Sequence, residues 1–135
     1  MATRTSLNAL TASLNAMSTR LQSGVVRIYT GSQPATPQTA ASGTQLAELT
    51  LNASAGSVAT YNTDNARYTA AAITADTDAD NTGTAGWFRV FRTGGFTSAY
   101  VEFDGAVGSE MTLNSNDIVQ HGTVSITAMT YTLSM

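Results

Sequence analysis

The chain has 135 residues, which is enough for one domain with its own apolar core. Only 11% of the residues are charged and the net charge is −3, so the basic surface that neutralises phosphates is missing and we expect no nucleic-acid partner. All basic residues are arginines and there is no cysteine, which excludes lysine-dependent phosphate loops and Schiff-base chemistry as well as disulfides and thiolate metal sites.

Residues 1–24 predict an amphipathic helix, because apolar side chains recur at alternating spacings of three and four. Thr5 or Ser6 can cap the first amides, and Gly24 can end the helix in the left-handed conformation. The apolar stripe consists of Leu7, Leu10, Leu14, Met17 and Leu21. It can pack on the core of its own chain or against another subunit, and two heptads favour the first. The same segment has no long apolar run beside positive charge, so we expect no secretion signal, no membrane partner and synthesis in the cytoplasm.

Residues 25–135 predict one β domain. Apolar and alternating segments indicate strands at residues 25–30, 46–51, 66–74, 86–92, 99–103, 109–114 and 123–135. Residues 31–44 form a polar surface loop with both prolines, Pro34 and Pro37, and residues 52–65 read as a second polar connection. The predicted fold class is therefore mainly β: a single-domain β-sandwich or jelly roll with one N-terminal amphipathic α-helix.

An acidic motif at Asp76, Asp78 and Asp80 resembles the start of a calcium-binding loop. The sixth position of that loop is Asn81 where glycine is required, and the twelfth is Trp87 where a bidentate glutamate is required. The three aspartates are therefore weak metal candidates, and the preferred interpretation is a turn that leads into a strand. We expect no cofactor.

The aromatic strand and the single histidine are the other chemical candidates. Trp87, Phe88, Phe91 and Phe96 could stack on carbohydrate, but aromatic residues that alternate along a strand are more typical of core packing. His121 stands in a predicted turn outside any hydrolase motif. We therefore expect a protein that is not an enzyme.

Three blocks of the sequence carry a resemblance to a known family. They are "TADTDADNTGTAGWFRV" (residues 74–90), "DGAVGSEMTLNSNDIVQHGTVSITAMTYTL" (residues 104–133) and "VVRIYTGSQPATPQTAASGTQLAELTL" (residues 25–51). In these blocks the chain resembles small virion proteins encoded beside the major capsid protein in tailed bacteriophages, which are mostly head decoration or cement proteins.

The resemblance implies a structural protein on the outer surface of the capsid, where it would bridge major capsid proteins and stabilise the shell. The implied partners are the major capsid protein and further copies of the chain, with a trimer around a local threefold axis as the expected oligomer. Because a proline loop can supply backbone hydrogen bonds to a neighbour's strand and the leucine stripe can be buried between subunits, the contact candidates are the helix stripe and the loop from Gln33 to Gly43, including Pro34 and Pro37. The alternative is a tail or head-fibre component that binds host surface glycans.

Overall fold

A computed structural model describes residues 3–134. Met1, Ala2 and Met135, which belong to the predicted segments 1–24 and 25–135, lie outside the described residues. The described part contains one α-helix, a short 3-10 helix (Ser98–Tyr100) and ten strands. Their bounds are α1 (Leu7–Arg20), β1 (Val25–Tyr29), β2 (Gln45–Thr50), β3 (Gly56–Thr60), β4 (Asn65–Ala70), β5 (Gly83–Thr84), β6 (Trp87–Phe91), β7 (Val101–Ala106), β8 (Met111–Leu113), β9 (Asp117–Ile118) and β10 (Ile126–Ser134).

The predicted helix is confirmed, and its ends are set by local hydrogen bonds. The side chain of Ser6 accepts a hydrogen bond from the backbone N–H of Ala9, so Ser6 is the N-cap. The left-handed residue after the helix is Ser23, with φ of 56°, and not Gly24 as predicted. Gly24 instead allows close chain packing, because a Cβ atom there would collide with the carbonyl oxygen of Phe91.

Two four-stranded antiparallel sheets pack as a sandwich, as predicted. Sheet A has the strand order β2-β1-β6-β7, and sheet B has the order β3-β4-β10-β8. The short strands β5 and β9 form a separate two-stranded ribbon. The predicted hairpin of residues 86–103 is confirmed as the antiparallel pair β6 and β7.

One apolar core lies between the sheets and includes the helix. The ring of Phe103 on sheet A is 4.8 Å from the ring of Tyr131 on sheet B and 6.1 Å from that of Phe88. The helix packs mainly on β3 and β4, and its Leu10, Leu14 and Leu21 are buried in the same core, with Leu7 and Met17 partly buried against it. The stripe is thus used inside the chain, and the three buried leucines are not part of its surface.

Several strand bounds differ from the predicted ones. Residues 52–65 were predicted to be a connection but contain β3, an edge strand whose side chains are half-buried or exposed, so its alternation is weak. The predicted strand 66–74 ends at Ala70, and Thr74 makes only an isolated bridge to Thr50. Within residues 3–134, no helix is long and apolar enough to cross a membrane.

Candidate functional site

The acidic segment, residues 74–82, lies along the free edge of β2. The N–H of Thr74 donates to the carbonyl of Thr50 at 3.1 Å, and the N–H of Asp80 donates to that of Leu46 at 2.8 Å. Between these two bonds, the carboxylate of Asp76 accepts the N–H of Glu48 at 2.9 Å. The segment therefore covers an edge strand that would otherwise present unpaired backbone groups.

Each of the three aspartates has a hydrogen-bonding role in this cover. The other oxygen of Asp76 accepts the N–H of Asp78, and Asp80 accepts the side-chain amide of Gln45, both at 2.9 Å. The carboxylate of Asp78 lies 2.5 Å from Nδ1 of His121, with both side chains largely exposed. Across residues 3–134, no group of three or more histidine, aspartate or glutamate side chains is placed to hold a metal ion. Bends occur between residues 77 and 81, but Thr74 and Asp76 make isolated bridges to Thr50 and Val124, so the segment runs along the strand edge and is more than the turn that was predicted.

His121 lies in residues 121–124, which bond the acidic segment on the side away from β2. Its backbone N–H donates to the carbonyl of Ala79 at 2.8 Å, and Val124 exchanges two backbone hydrogen bonds with Asp76. His121 also has a φ of 69°, a left-handed conformation that is uncommon outside glycine. The backbone of His121 thus helps to join the acidic segment to the segment that precedes β10.

The aromatic strand β6 is buried on both faces. Phe88 and Val90 point into the core between the sheets, whereas Trp87 stacks on Tyr29 with ring centroids 4.5 Å apart on the outer face of sheet A. Trp87 is fully buried, so it cannot offer a ring face to a sugar. The core interpretation is confirmed for Trp87, Phe88 and Phe91, and Phe96 is the exposed member of the set.

Four charged residues form a row across the outer face of sheet A, which we call the charged row. Arg27 on β1 lies directly opposite Arg89 on β6. Arg27 has Glu48 of β2 on its other side, and Arg89 has Asp104 of β7. The two arginines are therefore neighbours in the middle of the row, and the acids are at its two ends. The row consists of Glu48, Arg27, Arg89 and Asp104.

The two halves of the charged row differ in burial. Arg89 and Asp104 are a buried pair, with side chains 4% and 5% exposed and an N–O distance of 3.2 Å. Arg27 and Glu48 are 2.8 Å apart, but their side chains are 24% and 41% exposed. A buried guanidinium needs partners for its five N–H groups, and the Nη1 of Arg89 finds one in the carbonyl oxygen of Thr39 at 2.7 Å.

The loop of residues 31–44, which we call the proline loop, is tied down over this row. At its base, Thr30 and Thr44 are joined by a backbone hydrogen bond of 3.0 Å. Farther along, the side-chain amide of Gln33 donates to Asp104 at 3.1 Å, and the carbonyl of Thr39 accepts from Arg89. Of the predicted contact residues in the loop, Gln33 is exposed and Pro34 and Pro37 are half-buried. The buried ion pair therefore tethers the loop at two points, Gln33 and Thr39.

A pocket of about 370 Å³ lies between the proline loop and the turn that joins β6 to β7. We call it the arginine pocket. The guanidinium of Arg27 lies 3.5 Å above the ring of Phe96 at its wall. Burial raises the pKa of the Tyr29 hydroxyl, while the neighbouring Arg27 acts in the opposite direction. The pocket is lined by Arg27, Tyr29, Gln38, Thr39, Ala40, Ala41, Arg89, Phe91, Phe96, Thr97, Ser98 and Val101.

Sequence reasoning did not find this pocket. Its two arginines, Arg27 and Arg89, are 62 positions apart in the sequence. Only the pairing of β1 with β6 brings them together. A usable signal was present, since both arginines occupy central positions of strands that were predicted correctly.

No family model matches the chain, and neither the curated proteins nor the solved structures contain a match.

Proposed function

We propose that the chain is a non-enzymatic virion structural protein that decorates a bacteriophage capsid and stabilises it. On this proposal it lies on the outer surface of the shell and bridges neighbouring major capsid proteins. The three sequence blocks that resemble phage decoration proteins support it, and one of these blocks contains the whole proline loop.

The observation that carries the proposal is the preformed shape of the proline loop. The loop is tethered by Arg89 and Asp104 through Thr39 and Gln33, which reduces the ordering needed when a partner binds. A preorganised loop avoids much of the entropy cost of association. The pocket beneath it offers guanidinium groups and aromatic rings, which bind by charge, hydrogen bonding and stacking.

The outer face of sheet B offers a second surface suited to a capsid contact. Its exposed or half-buried positions pair small hydroxyl residues across strands, such as Ser57 with Thr69 and Thr69 with Thr130. Arg67, which pairs with Thr132, is a charged residue on this face. A polar face of low charge suits an interface that gains its strength from many repeated copies.

The proposed homo-oligomer has to use these surfaces as well. Leu10, Leu14 and Leu21 are committed to the core of the chain, so a trimer around a local threefold axis would form through other surfaces, of which the proline loop and sheet B are the proposed ones. The net charge of −3 supports a position away from packaged DNA, since an acidic protein is repelled by phosphates.

Electron microscopy of purified particles of the phage that encodes the chain tests the proposal directly. We expect density for the sandwich on the outside of the head, with the proline loop or sheet B against the major capsid protein. Particles made without the protein should release their DNA at a lower temperature, and purified protein added back should restore the original temperature. Absence from the head, or unchanged heat resistance, would refute the proposal, and density on the tail would favour a fibre component.

A further inference from the structure

We propose that the arginine pocket binds the carboxylate of an acidic side chain carried by a peptide segment of the partner protein. This inference deepens the proposed function and rests on it for the identity of the partner. The ligand class follows from three properties of the pocket: the arrangement of its charges, its hydrogen-bond donors and the apolar residues in its walls.

The first property is the arrangement of charge. Arg27 and Arg89 are direct cross-strand neighbours, and like charges in that position repel each other. Their acidic partners, Glu48 and Asp104, lie on the far sides of the pair, and neither acid lines the pocket. The lining therefore carries two arginines, and the acids that compensate their charges are at the outer ends of the row. An anion in the pocket would be attracted by both guanidinium groups.

The hydrogen-bond donors of the two arginines differ in what they already bind. Arg89 lines the pocket and is 4% exposed. Its Nη1 and Nη2 atoms bond Thr39 and Asp104, but its buried Nε has no hydrogen-bond partner within residues 3–134. Because this Nε is itself inaccessible, the donors that a ligand can reach are those of Arg27, whose side chain is 24% exposed and bonds Glu48 through Nε. A carboxylate oxygen is an acceptor of the kind that planar guanidinium groups bind most strongly.

The third property favours a peptide over other anions. The walls beside the arginines include Phe91, Phe96 and Val101, which suit the methylene stem of a side chain. The lining also includes residues of two loops, Ala40 and Thr97, and loop backbone can exchange hydrogen bonds with an extended peptide. The volume of about 370 Å³ is at the small end of the range for ligand sites, which fits one acidic residue and its neighbours.

The test is an NMR titration of the ¹⁵N-labelled full chain with four probes: the capped peptides Ac-Leu-Glu-Leu-NH₂ and Ac-Leu-Gln-Leu-NH₂, glucuronate, and inorganic phosphate. We expect the glutamate peptide to shift amide signals of residues 38–41 and 96–98, and the side-chain signals of Arg27. The glutamine peptide should bind at least about tenfold more weakly, because its hydrogen bonds are not charge-assisted.

Arg27→Gln is the test variant and Arg67→Gln its matched control. Both arginines hold a guanidinium 3.5 Å from an aromatic ring, Phe96 for Arg27 and Tyr61 for Arg67, but Arg67 is on sheet B. Arg27→Gln should weaken binding of the glutamate peptide at least about tenfold, and Arg67→Gln should leave it unchanged. If Arg27→Gln fails to fold, the comparison of the two peptides on the wild-type chain decides.

Three results would overturn the inference. These are equal binding of the two peptides, no shift at the pocket with the glutamate peptide, and tighter binding of glucuronate or phosphate than of that peptide. Tighter binding of glucuronate would identify an acidic-sugar site, and tighter binding of phosphate a general anion site. Failure here can be separated from failure of the proposed function, because head location and heat resistance of the particles are measured without the peptides.

Discussion

Arg27 and Arg89 face each other across adjacent strands of sheet A, and each is held by an acid on its far side. Two like charges in register would weaken a sheet, so this arrangement depends on Glu48 and Asp104. Because one ion pair is buried and the other is exposed, the two acids should differ strongly in their contribution to stability.

Asp104→Asn is expected to destabilise the protein by about 3–5 kcal/mol, since it leaves the buried Arg89 charge without compensation. It also weakens the link to Gln33 that holds the proline loop. Urea unfolding followed by Trp87 fluorescence measures the loss. Glu48→Gln is the control and should cost less than about 1 kcal/mol, because its side chain is 41% exposed. Equal losses for the two variants would show that burial does not decide the strength of these pairs.

Alkaline pH should destabilise the fold through Tyr68. Burial raises the pKa of this hydroxyl from 10.0 to about 12, so the folded chain keeps the proton that the unfolded chain loses. The stabilising contribution is complete below pH 10 and is lost as the pH rises toward 12, at about 1.4 kcal/mol per unit of pKa shift. Unfolding free energies measured at neutral pH and across that window test this expectation.

Tyr68→Phe should reduce the alkaline loss and leave the smaller share that comes from the raised pKa of Tyr29. At neutral pH it should cost about 1 kcal/mol, because Tyr68 donates a hydrogen bond to the carbonyl of Ala55. Tyr61→Phe is the control, since that side chain is 54% exposed. An unchanged pH profile in Tyr68→Phe would contradict the assignment.

Asp76→Ala should destabilise the protein by about 1–3 kcal/mol, because its carboxylate accepts the backbone N–H groups of Glu48 and Asp78. Asp78→Ala should have an effect of about 0.5 kcal/mol or less, since its contact with His121 is exposed. Thermal unfolding with millimolar calcium or with a chelator should give the same Tm. A calcium-dependent rise in Tm that disappears in Asp76→Ala would instead support a cation site.

Leu14→Ala should cost about 2–5 kcal/mol and leave the oligomeric state of the folded protein unchanged, because the side chain is buried in the core of its own chain. Urea unfolding and light scattering at one protein concentration measure the two quantities. Leu7→Ala should cost less, since Leu7 is only partly buried. A change of oligomeric state in folded Leu14→Ala would show that the helix stripe forms a subunit contact.

Local patterns predicted the parts of the fold that have strong periodicity. The helix follows from its leucine spacing, and β1 and β6 follow from their apolar segments. Strand β3 was missed because it is an edge strand whose single large apolar residue is Val58. Strands β5 and β9 were missed because two residues each are too short to show a period.

The candidate site depends on pairing that a one-dimensional pattern does not contain. Glu48 and Asp104 lie in one row with the two arginines only because β2, β1, β6 and β7 pair in this order and register. The proline loop was predicted as a loop, but its attachment uses the backbone carbonyl of Thr39, which carries no sequence signal. The aspartates were noticed for their charge, whereas the structure uses the Asp76 carboxylate to accept a backbone N–H of β2, as a neighbouring strand would.

The position of Asp76 on the edge of β2 has a consequence for behaviour at high concentration. An uncovered strand edge recruits the edges of other molecules, and the result is fibrils or amorphous aggregates. With the acidic segment in place, the β2 side of each molecule is closed to such growth. The protein can therefore reach high concentrations without polymerising through this edge.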